Sequence, residues 1–219
     1  MQAYGLLMLV GTTLLLLTTK AGLFLFMNAF HTPVADVCAP WLTILGDGRT
    51  AALLPVMLFF VHRPLAWRAA LALILTLALV QICKQLIFHD ALRPTAYFEA
   101  IGSRVNHLIP GVDQHRHQSF PSGHTAAAFA MAALLSFLSP PRPLSALPAS
   151  TRKVTLLTLA LLIGYTRVYL SQHFFEDVVA GSFLGVFSAT LMIWVWPLPT
   201  DSKEVSWVDG NSGVSTTNG

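Results

Sequence analysis

Residues 66–88 read AWRAALALILTLALVQICKQLIF, an apolar run whose two charged members, Arg68 and Lys84, stand near its ends. About 20 apolar residues in a helix span the hydrocarbon core of a bilayer, and this run has that length. The whole chain has the same character, since 54% of its 219 residues are hydrophobic and only 11% are charged. Soluble domains carry roughly a quarter charged residues, so we expect lipid to cover much of this surface.

Further apolar runs lie on both sides of this segment. Residues 4–19 have no Lys or Arg before them and no A-x-A site after them, which favours a spanning helix over a signal peptide. The stretch from Lys20 to Arg49 is too polar to cross lipid and is predicted to lie in the interface. The other predicted spans are residues 50–61, 125–138, 154–170 and 178–196.

These runs predict an all-α fold, a polytopic membrane bundle of about six transmembrane helices. The length requires no second domain, so residues 1–197 are expected to form one membrane-embedded domain. Residues 198–219 are rich in Ser, Thr, Gly and Asn and are predicted to be a flexible polar tail.

Basic residues in two short loops predict how the bundle is oriented. They are Arg63, Arg68, Arg142, Arg152 and Lys153. Because cytoplasmic loops carry an excess of Lys and Arg, we expect both loops and both termini in the cytoplasm. Residues 89–120 and 172–177 then face the outside, together with Lys20 and Arg49, which depart from the rule.

Other features exclude some classes of partner. The net charge of +3 is scattered, with no basic patch interleaved with aromatic residues, so no nucleic-acid partner is expected. Cys38 and Cys83 lack C-x-x-C spacing and are best explained as packing thiols. Several metal-binding residue types occur in the loop of residues 89–120, but their spacing is not diagnostic and a solvated loop is favoured. These are His107, Asp113, His115 and His117.

Polar residues near the predicted start of the last span suggest a nucleophile. His173 and Asp177 are four residues apart, and such residues share one face of a helix. The carboxylate can then accept the imidazole N–H, fix the tautomer and leave the other ring nitrogen free to attack. Arg167, at the outer end of the preceding span, can fork onto two phosphate oxygens.

A second group opens the helix predicted from residue 125. Ser122 supplies a hydroxyl and Gly123 allows the backbone to approach a ligand closely. A helix N-terminus attracts anions, and His124 at this position can protonate a leaving oxygen. Lys84 and Arg93 add positive charge at the same membrane face. Phosphoryl transfer needs chiefly positioning and neutralisation of the phosphate oxygens, which these residues offer.

The groups resemble the three motifs of the type 2 phosphatidic acid phosphatase superfamily, which also includes the vanadium haloperoxidases. That family's pattern is Lys with Arg-Pro downstream, then PSGH, then Ser-Arg, five residues, His, three residues and Asp. PSGH is intact at residues 121–124, and Arg167, His173 and Asp177 keep the third spacing. All three motifs occur in order on one predicted membrane face.

Two positions depart from the family pattern. Thr166 replaces Ser and keeps the hydroxyl. Eight residues separate Lys84 from Arg93, where the common motif has six, and on one unbroken helix this spacing turns them to opposite faces. The helix is therefore predicted to end between them, near His89 and Asp90, so that Arg93 returns to the site through a loop.

The resemblance implies an acid phosphatase/vanadium haloperoxidase-like helical core that removes phosphate from a lipid. It makes His173 the nucleophile that forms a phosphohistidine, Asp177 its partner and His124 the acid for the leaving group. The implied phosphate ligands are Lys84, Arg93, Ser122, Gly123 and Arg167. No metal or other cofactor is implied, and the expected partners are a lipid phosphate substrate and membrane lipids.

The substrate and the reaction outcome stay open at this point. Candidates are undecaprenyl diphosphate, phosphatidylglycerol phosphate, phosphatidic acid and lipid A phosphate, with a polyprenyl diphosphate placed first on resemblance alone. A lipid-to-lipid phosphotransferase would use the same residues. A haloperoxidase is disfavoured by the apolar spans, and an inactive transporter or scaffold is disfavoured by the intact nucleophile, acid and carboxylate.

Overall fold

A computed structural model describes residues 2–105, 107–137 and 148–196, and these residues form helices and loops without strands. Arg142 and the predicted tail of residues 198–219 lie outside the described residues. The helices are α1 Gln2–Leu17, α2 Lys20–Asn28, α3 Pro33–Ile44, α4 Gly48–Ala51, α5 Leu53–Val61, α6 Arg63–Ile82, α7 Pro94–Ala100, α8 Gly123–Phe137, α9 Ala149–Tyr169 and α10 Phe175–Val195. The last turn of α6 continues as a π-helix, Cys83–Ile87.

Four long helices, α6, α8, α9 and α10, form the centre of the bundle, and α8 packs most extensively on α10. Two glycines make this packing close. A Cβ added to Gly181 would lie 2.4 Å from the Ser122 carbonyl oxygen, and one added to Gly185 would lie 2.2 Å from that of Ala126. Small residues of this kind let helix backbones approach each other in membrane proteins.

The apolar helical segments agree in number with the prediction. Arg63–Ile87 and Phe175–Val195 are each long and apolar enough to cross a membrane. Two bent pairs pass the same test together, namely α1 with α2, at 117°, and α3 with Gly48–Val61, at 54°. With the shorter α8 and with α9, they make up the predicted polytopic bundle of about six helices, which is confirmed.

The predicted spans match helices within a few residues, but residues 20–49 and 89–120 contain structure that the pattern did not indicate. The first stretch forms α2 and α3, and its place in the interface stays a prediction. The second stretch holds the short helix α7, which begins at Pro94 and is only seven residues long. So short a helix leaves too few turns for an apolar periodicity to be recognised.

The end of α6 resolves the unusual spacing between Lys84 and Arg93. In the π-helical turn, the Phe88 N–H donates to the Cys83 carbonyl oxygen at 2.8 Å, and the helix ends there. The chain then reverses, and the Arg93 N–H donates to the Arg116 carbonyl oxygen at 2.9 Å. The predicted end of the helix between the two cations is therefore confirmed.

Candidate active site

The loop between α9 and α10 carries His173 and is folded back onto the end of α9. The N–H groups of Gln172 and His173 both donate to the Arg167 carbonyl oxygen, at 2.9 and 3.0 Å. Asn28 of α2 braces the end of α9 and this loop, because its amide nitrogen donates to the carbonyl oxygens of Val168 and Tyr169 at 3.1 Å and to the Ser171 hydroxyl at 3.2 Å. These contacts fix the backbone on which the predicted nucleophile stands.

The Asp177 carboxylate contacts the His173 imidazole. Its Oδ2 lies 3.2 Å from His173 Nδ1 and also accepts hydrogen bonds from the Ser119 hydroxyl at 2.5 Å and the Phe174 N–H at 2.9 Å. The carboxylate is completely buried. A hydrogen bond from Nδ1–H to this oxygen leaves Nε2 as the ring nitrogen with a free lone pair, as the spacing of four residues predicted.

The surroundings of His173 keep its imidazole neutral. Burial, followed by the positive charges of Arg93, Arg167 and Lys84, lowers the pKa of His173 well below its usual range. A neutral imidazole is the form that can attack an electrophile. Burial and the neighbouring cations therefore keep the candidate nucleophile unprotonated.

The PSGH segment is tied to this pair through the backbone. The Ser122 N–H donates to the Asp177 carbonyl oxygen at 2.9 Å, which joins the start of α8 to the start of α10. Ser122 is fully buried, and its hydroxyl oxygen accepts a hydrogen bond from the Thr125 hydroxyl at 2.9 Å. Its side chain thus serves the turn before α8, and its part as a phosphate ligand stays a prediction.

A cavity of about 410 Å³ opens in front of the nucleophile. Six of the predicted site residues line it, namely Lys84, Arg93, Gly123, His124, Arg167 and His173, whereas Ser122 and Asp177 lie behind it. Lys84 and Arg93 thus face one cavity despite their lengthened spacing. The other lining residues are Pro40, Thr43, Gly111, Val112, Asp113, His115, Leu170 and Gln172.

Three cations line this cavity, and two of them are held in place by hydrogen bonds to neutral groups. Arg93 donates through Nη1 to the Gln172 side-chain oxygen at 3.0 Å, and Arg167 donates through Nη1 to the Thr43 hydroxyl at 2.7 Å. In the described part of the chain, no carboxylate lies within 4.0 Å of Arg93, Arg167 or Lys84. A buried charge needs a partner, and an anion in the cavity would supply it.

Three supporting residues were not predicted. Gln172 and Ser119 adjoin the motifs, so their proximity along the chain was a signal that could have identified them. Thr43 lies in α3, far from any motif, and nothing in the sequence marks it. Its contact with Arg167 depends on how α3 packs against α9.

The loop residues that suggested a metal site separate in the structure. Among the described residues, only His107 joins a group of metal-binding types, with His31 and Asp36. Asp36 lies 3.2 Å from a ring nitrogen of each histidine and accepts a hydrogen bond from the Tyr169 hydroxyl at 2.5 Å. These contacts join α3, the long loop and α9, and they give both carboxylate oxygens of Asp36 a polar partner.

Lys20, which departed from the charge rule, lies at the same end of the bundle as the cavity. Its Nζ is 2.5 Å from a carboxylate oxygen of Glu176 and 4.1 Å from the centre of the Phe174 ring. Both partners begin α10, next to Asp177. Its position is thus explained by an ion pair and a cation–π contact.

Comparison with known proteins finds a matching family, a related enzyme and structures with a similar fold. The family model described as the PAP2 superfamily matches residues 65–200. The lipid A 4'-phosphatase of Bacteroides thetaiotaomicron is 28% identical over 182 residues, which cover 79% of this chain and 75% of the relative.

Two crystal structures share the arrangement of helices. LpxE of Aquifex aeolicus is 29% identical with a TM-score of 0.65, and the match covers 79% of this chain and 93% of that one. The PAP2-type phosphatidylglycerolphosphate phosphatase of Bacillus subtilis has a TM-score of 0.64 over 88% of this chain and 94% of its own. At 22% identity the second structure supports the fold alone.

Proposed function

Because the chain belongs to the PAP2 superfamily and is a membrane lipid phosphatase, we propose that it hydrolyses a lipid phosphate ester at the extracytoplasmic face through a phosphohistidine on His173. The observation that carries this proposal is the cavity itself. Lys84, Arg93 and Arg167 line it, no carboxylate of the described residues lies within 4.0 Å of them, and the neutral imidazole of His173 lies among them. Phosphoryl transfer depends chiefly on positioning and on stabilising the charge of the phosphate oxygens.

In the first half of the proposed reaction, the Nε2 lone pair of His173 attacks the phosphorus of the bound ester. The bond between phosphorus and the lipid oxygen breaks as the bond to nitrogen forms. Protonated His124 gives its proton to the departing oxygen, so the lipid leaves as an alcohol. Asp177 stabilises the imidazolium character that develops on His173.

In the second half, neutral His124 accepts a proton from water, and the water oxygen attacks phosphorus. The phosphorus–nitrogen bond breaks, and its electron pair returns to His173. Inorganic phosphate leaves the three cations, and His124 is protonated again. The residues of this chain account for every proton in the cycle.

Lipid A phosphate is the first substrate to test. The lipid A 4'-phosphatase is among the most similar relatives, and this ranks lipid A ahead of the polyprenyl diphosphate favoured from the sequence. The cavity of about 410 Å³ also extends beyond the cations to Asp113 and His115, which supplies polar contacts for a headgroup. Undecaprenyl diphosphate is the second candidate.

The test measures phosphate release by the purified chain in detergent from lipid A, undecaprenyl diphosphate, phosphatidylglycerol phosphate and phosphatidic acid. We expect turnover of at least one lipid by wild type and none by His173→Ala. Rapid quenching followed by mass spectrometry should find one phosphoryl group on His173. With p-nitrophenyl phosphate, whose leaving group needs no proton from His124, slowed attack by water should make this intermediate accumulate in His124→Ala. Equal release by wild type and His173→Ala would contradict the proposal.

A further inference from the structure

His124 has an acidic neighbour that belongs to none of the three motifs. Asp47 Oδ2 lies 3.8 Å from His124 Nε2, and among the described residues it is the one carboxylate within 4.0 Å of this ring. Asp47 stands in the turn between α3 and α4, and its Oδ1 caps α4 by accepting from the Arg49 N–H at 2.8 Å. One carboxylate oxygen is therefore fixed by the helix cap, and the other faces the imidazole of His124.

The turn that carries Asp47 is pressed against His124. A Cβ added to Gly46 would lie 2.9 Å from the His124 carbonyl oxygen and 2.6 Å from Ile163 Cγ2. Real Cβ atoms do not approach other atoms so closely, so this turn reaches α8 and α9 only because residue 46 has no side chain. The proximity of Asp47 to His124 thus comes from tight backbone packing and not from a flexible side chain alone.

The same segment also supports a second site residue. Thr43, one turn before Asp47, accepts the hydrogen bond from Arg167, and Pro40 lines the cavity. The match to the PAP2 superfamily model begins at residue 65, so the whole segment lies outside it. A part of the chain beyond the motifs therefore contacts two of the residues that the motifs supply.

The charges around His124 show what Asp47 contributes. Burial and then the cations Arg167, Lys84 and Arg93 disfavour a proton on this ring, and Asp47 is the neighbour that opposes them. His173 also faces the same cavity as a neutral imidazole. A general acid must carry a proton when the leaving oxygen departs, and a carboxylate beside the ring favours that form.

We propose that Asp47 is a positioning residue for His124, orienting its ring and stabilising its protonated form while the lipid oxygen departs. This role rests on the proposed function, since it presupposes that His124 is the general acid. A carboxylate on Nε2 leaves Nδ1 as the nitrogen that exchanges a proton with the leaving group. Asp47 then does for the acid what Asp177 does for the nucleophile.

Asp47→Asn tests this role because asparagine keeps the helix cap and removes the charge. With lipid A, whose sugar hydroxyl is a poor leaving group, we expect kcat to fall by about 10-fold or more. With p-nitrophenyl phosphate, whose leaving group needs no proton, we expect a loss of less than about 3-fold, since acid catalysis contributes little there. The alkaline limb of the pH–rate profile on lipid A should also move to lower pH.

Asp90→Asn is the matched control, because Asp90 is an exposed acid in the outer loop, and its kinetics should equal those of wild type. Equal losses of kcat on both substrates would show that Asp47 acts on folding, which would contradict the proposal. An Asp47→Asn enzyme whose kcat and pH–rate profile match those of wild type would contradict it as well. Absence of phosphate release by wild type from p-nitrophenyl phosphate and from all four lipids would instead contradict the proposed function.

Discussion

The contacts of the Asp177 carboxylate with Ser119, Phe174 and His173 are all made by one oxygen, Oδ2. Oδ2 receives the Ser119 hydroxyl and the Phe174 N–H as well as His173, whereas Oδ1 is buried and, within the described residues, has no hydrogen-bond partner. The two additional donors fix the carboxylate in the plane that His173 needs. Its buried charge is stabilised by donors from two separate segments, the long loop and the start of α10.

Ser119→Ala removes one of these donors and should weaken the hold on His173. We expect kcat to fall by about 10-fold, equivalent to about 1.4 kcal/mol, because hydrogen bonds to buried charged groups contribute energies of this order. Phosphate release on lipid A measures the effect. Ser103→Ala, in the exposed part of the same loop, is the control, and a Ser119→Ala enzyme as fast as this control would contradict the prediction.

The lowered pKa of His173 also predicts how stability changes with pH. In the unfolded chain this residue binds a proton near its ordinary pKa of about 6.5, but in the folded chain it stays neutral. Acid therefore favours the unfolded chain, and the free energy of unfolding should fall as pH drops below about 6.5, by up to about 1.4 kcal/mol per pH unit from this group.

The measurement is the Tm of the detergent-solubilised protein between pH 7.5 and 5.5. His173→Gln lacks the titrating group, so its Tm should fall less over this range than that of wild type. If Tm fell equally with pH in wild type and in His173→Gln, His173 would bind protons alike in the folded and unfolded chain, which would contradict the prediction.

At the scale of helices, the sequence predicts most of the fold because each apolar run is long enough to be recognised. The ends of α6 and the start of α10 also follow from the motif spacings around Lys84 and Asp177. The helices α2, α3 and α7 were not predicted because they are short or interrupted by polar residues. The bends of 117° and 54° depend on packing between distant segments, which no local pattern encodes.

The crossing of α8 and α10 predicts which glycine cannot be replaced. Gly185→Ala would place a Cβ 2.2 Å from the Ala126 carbonyl oxygen and push the helices apart. We expect a loss of about 1–3 kcal/mol of stability, as is typical of overpacking, seen as a lower Tm in detergent. Gly5→Ala is the control because no atom lies within 4 Å of its added Cβ, and an equal Tm for both variants would refute the prediction.

Over the whole molecule, large apolar side chains cover the outside of the bundle. Leu16, Phe60 and Trp194 each expose about four-fifths of their surface, which requires a lipid environment. The candidate site is confined to one end of the bundle. The opposite end carries Arg63 and the buried Arg68, which donates to the Trp196 carbonyl oxygen at 3.0 Å.

The predicted orientation can be tested with single cysteines in a background where Cys38 and Cys83 are replaced by serine. Glu99→Cys, on exposed α7 beside the site, should react with a membrane-impermeant maleimide in intact cells, because we expect this end outside. Arg63→Cys, at the other end, should react only after permeabilisation. The reverse pattern would place the site in the cytoplasm.

The site itself was predictable only in part. Residues that touch the phosphate in the proposed reaction stand in recognisable motifs, so His173, His124 and Arg167 could be named from the sequence. Thr43 and Asp47 could not, because their relation to the site exists only once α3 has packed against α9 and α4 against α8. The residues proposed to react with the substrate lie in the motifs, whereas the residues that orient their side chains are distributed over the fold.

The π-helical turn at Cys83–Ile87 and the loop after it accommodate the two additional residues between Lys84 and Arg93. An insertion between Lys84 and Arg93 is absorbed by the turn and the loop after it, so selection can tolerate it. An insertion between His173 and Asp177 would rotate the carboxylate away from the imidazole and would be eliminated. A search pattern that fixes the first interval passes over chains such as this one, whereas a pattern that fixes only the second retains them.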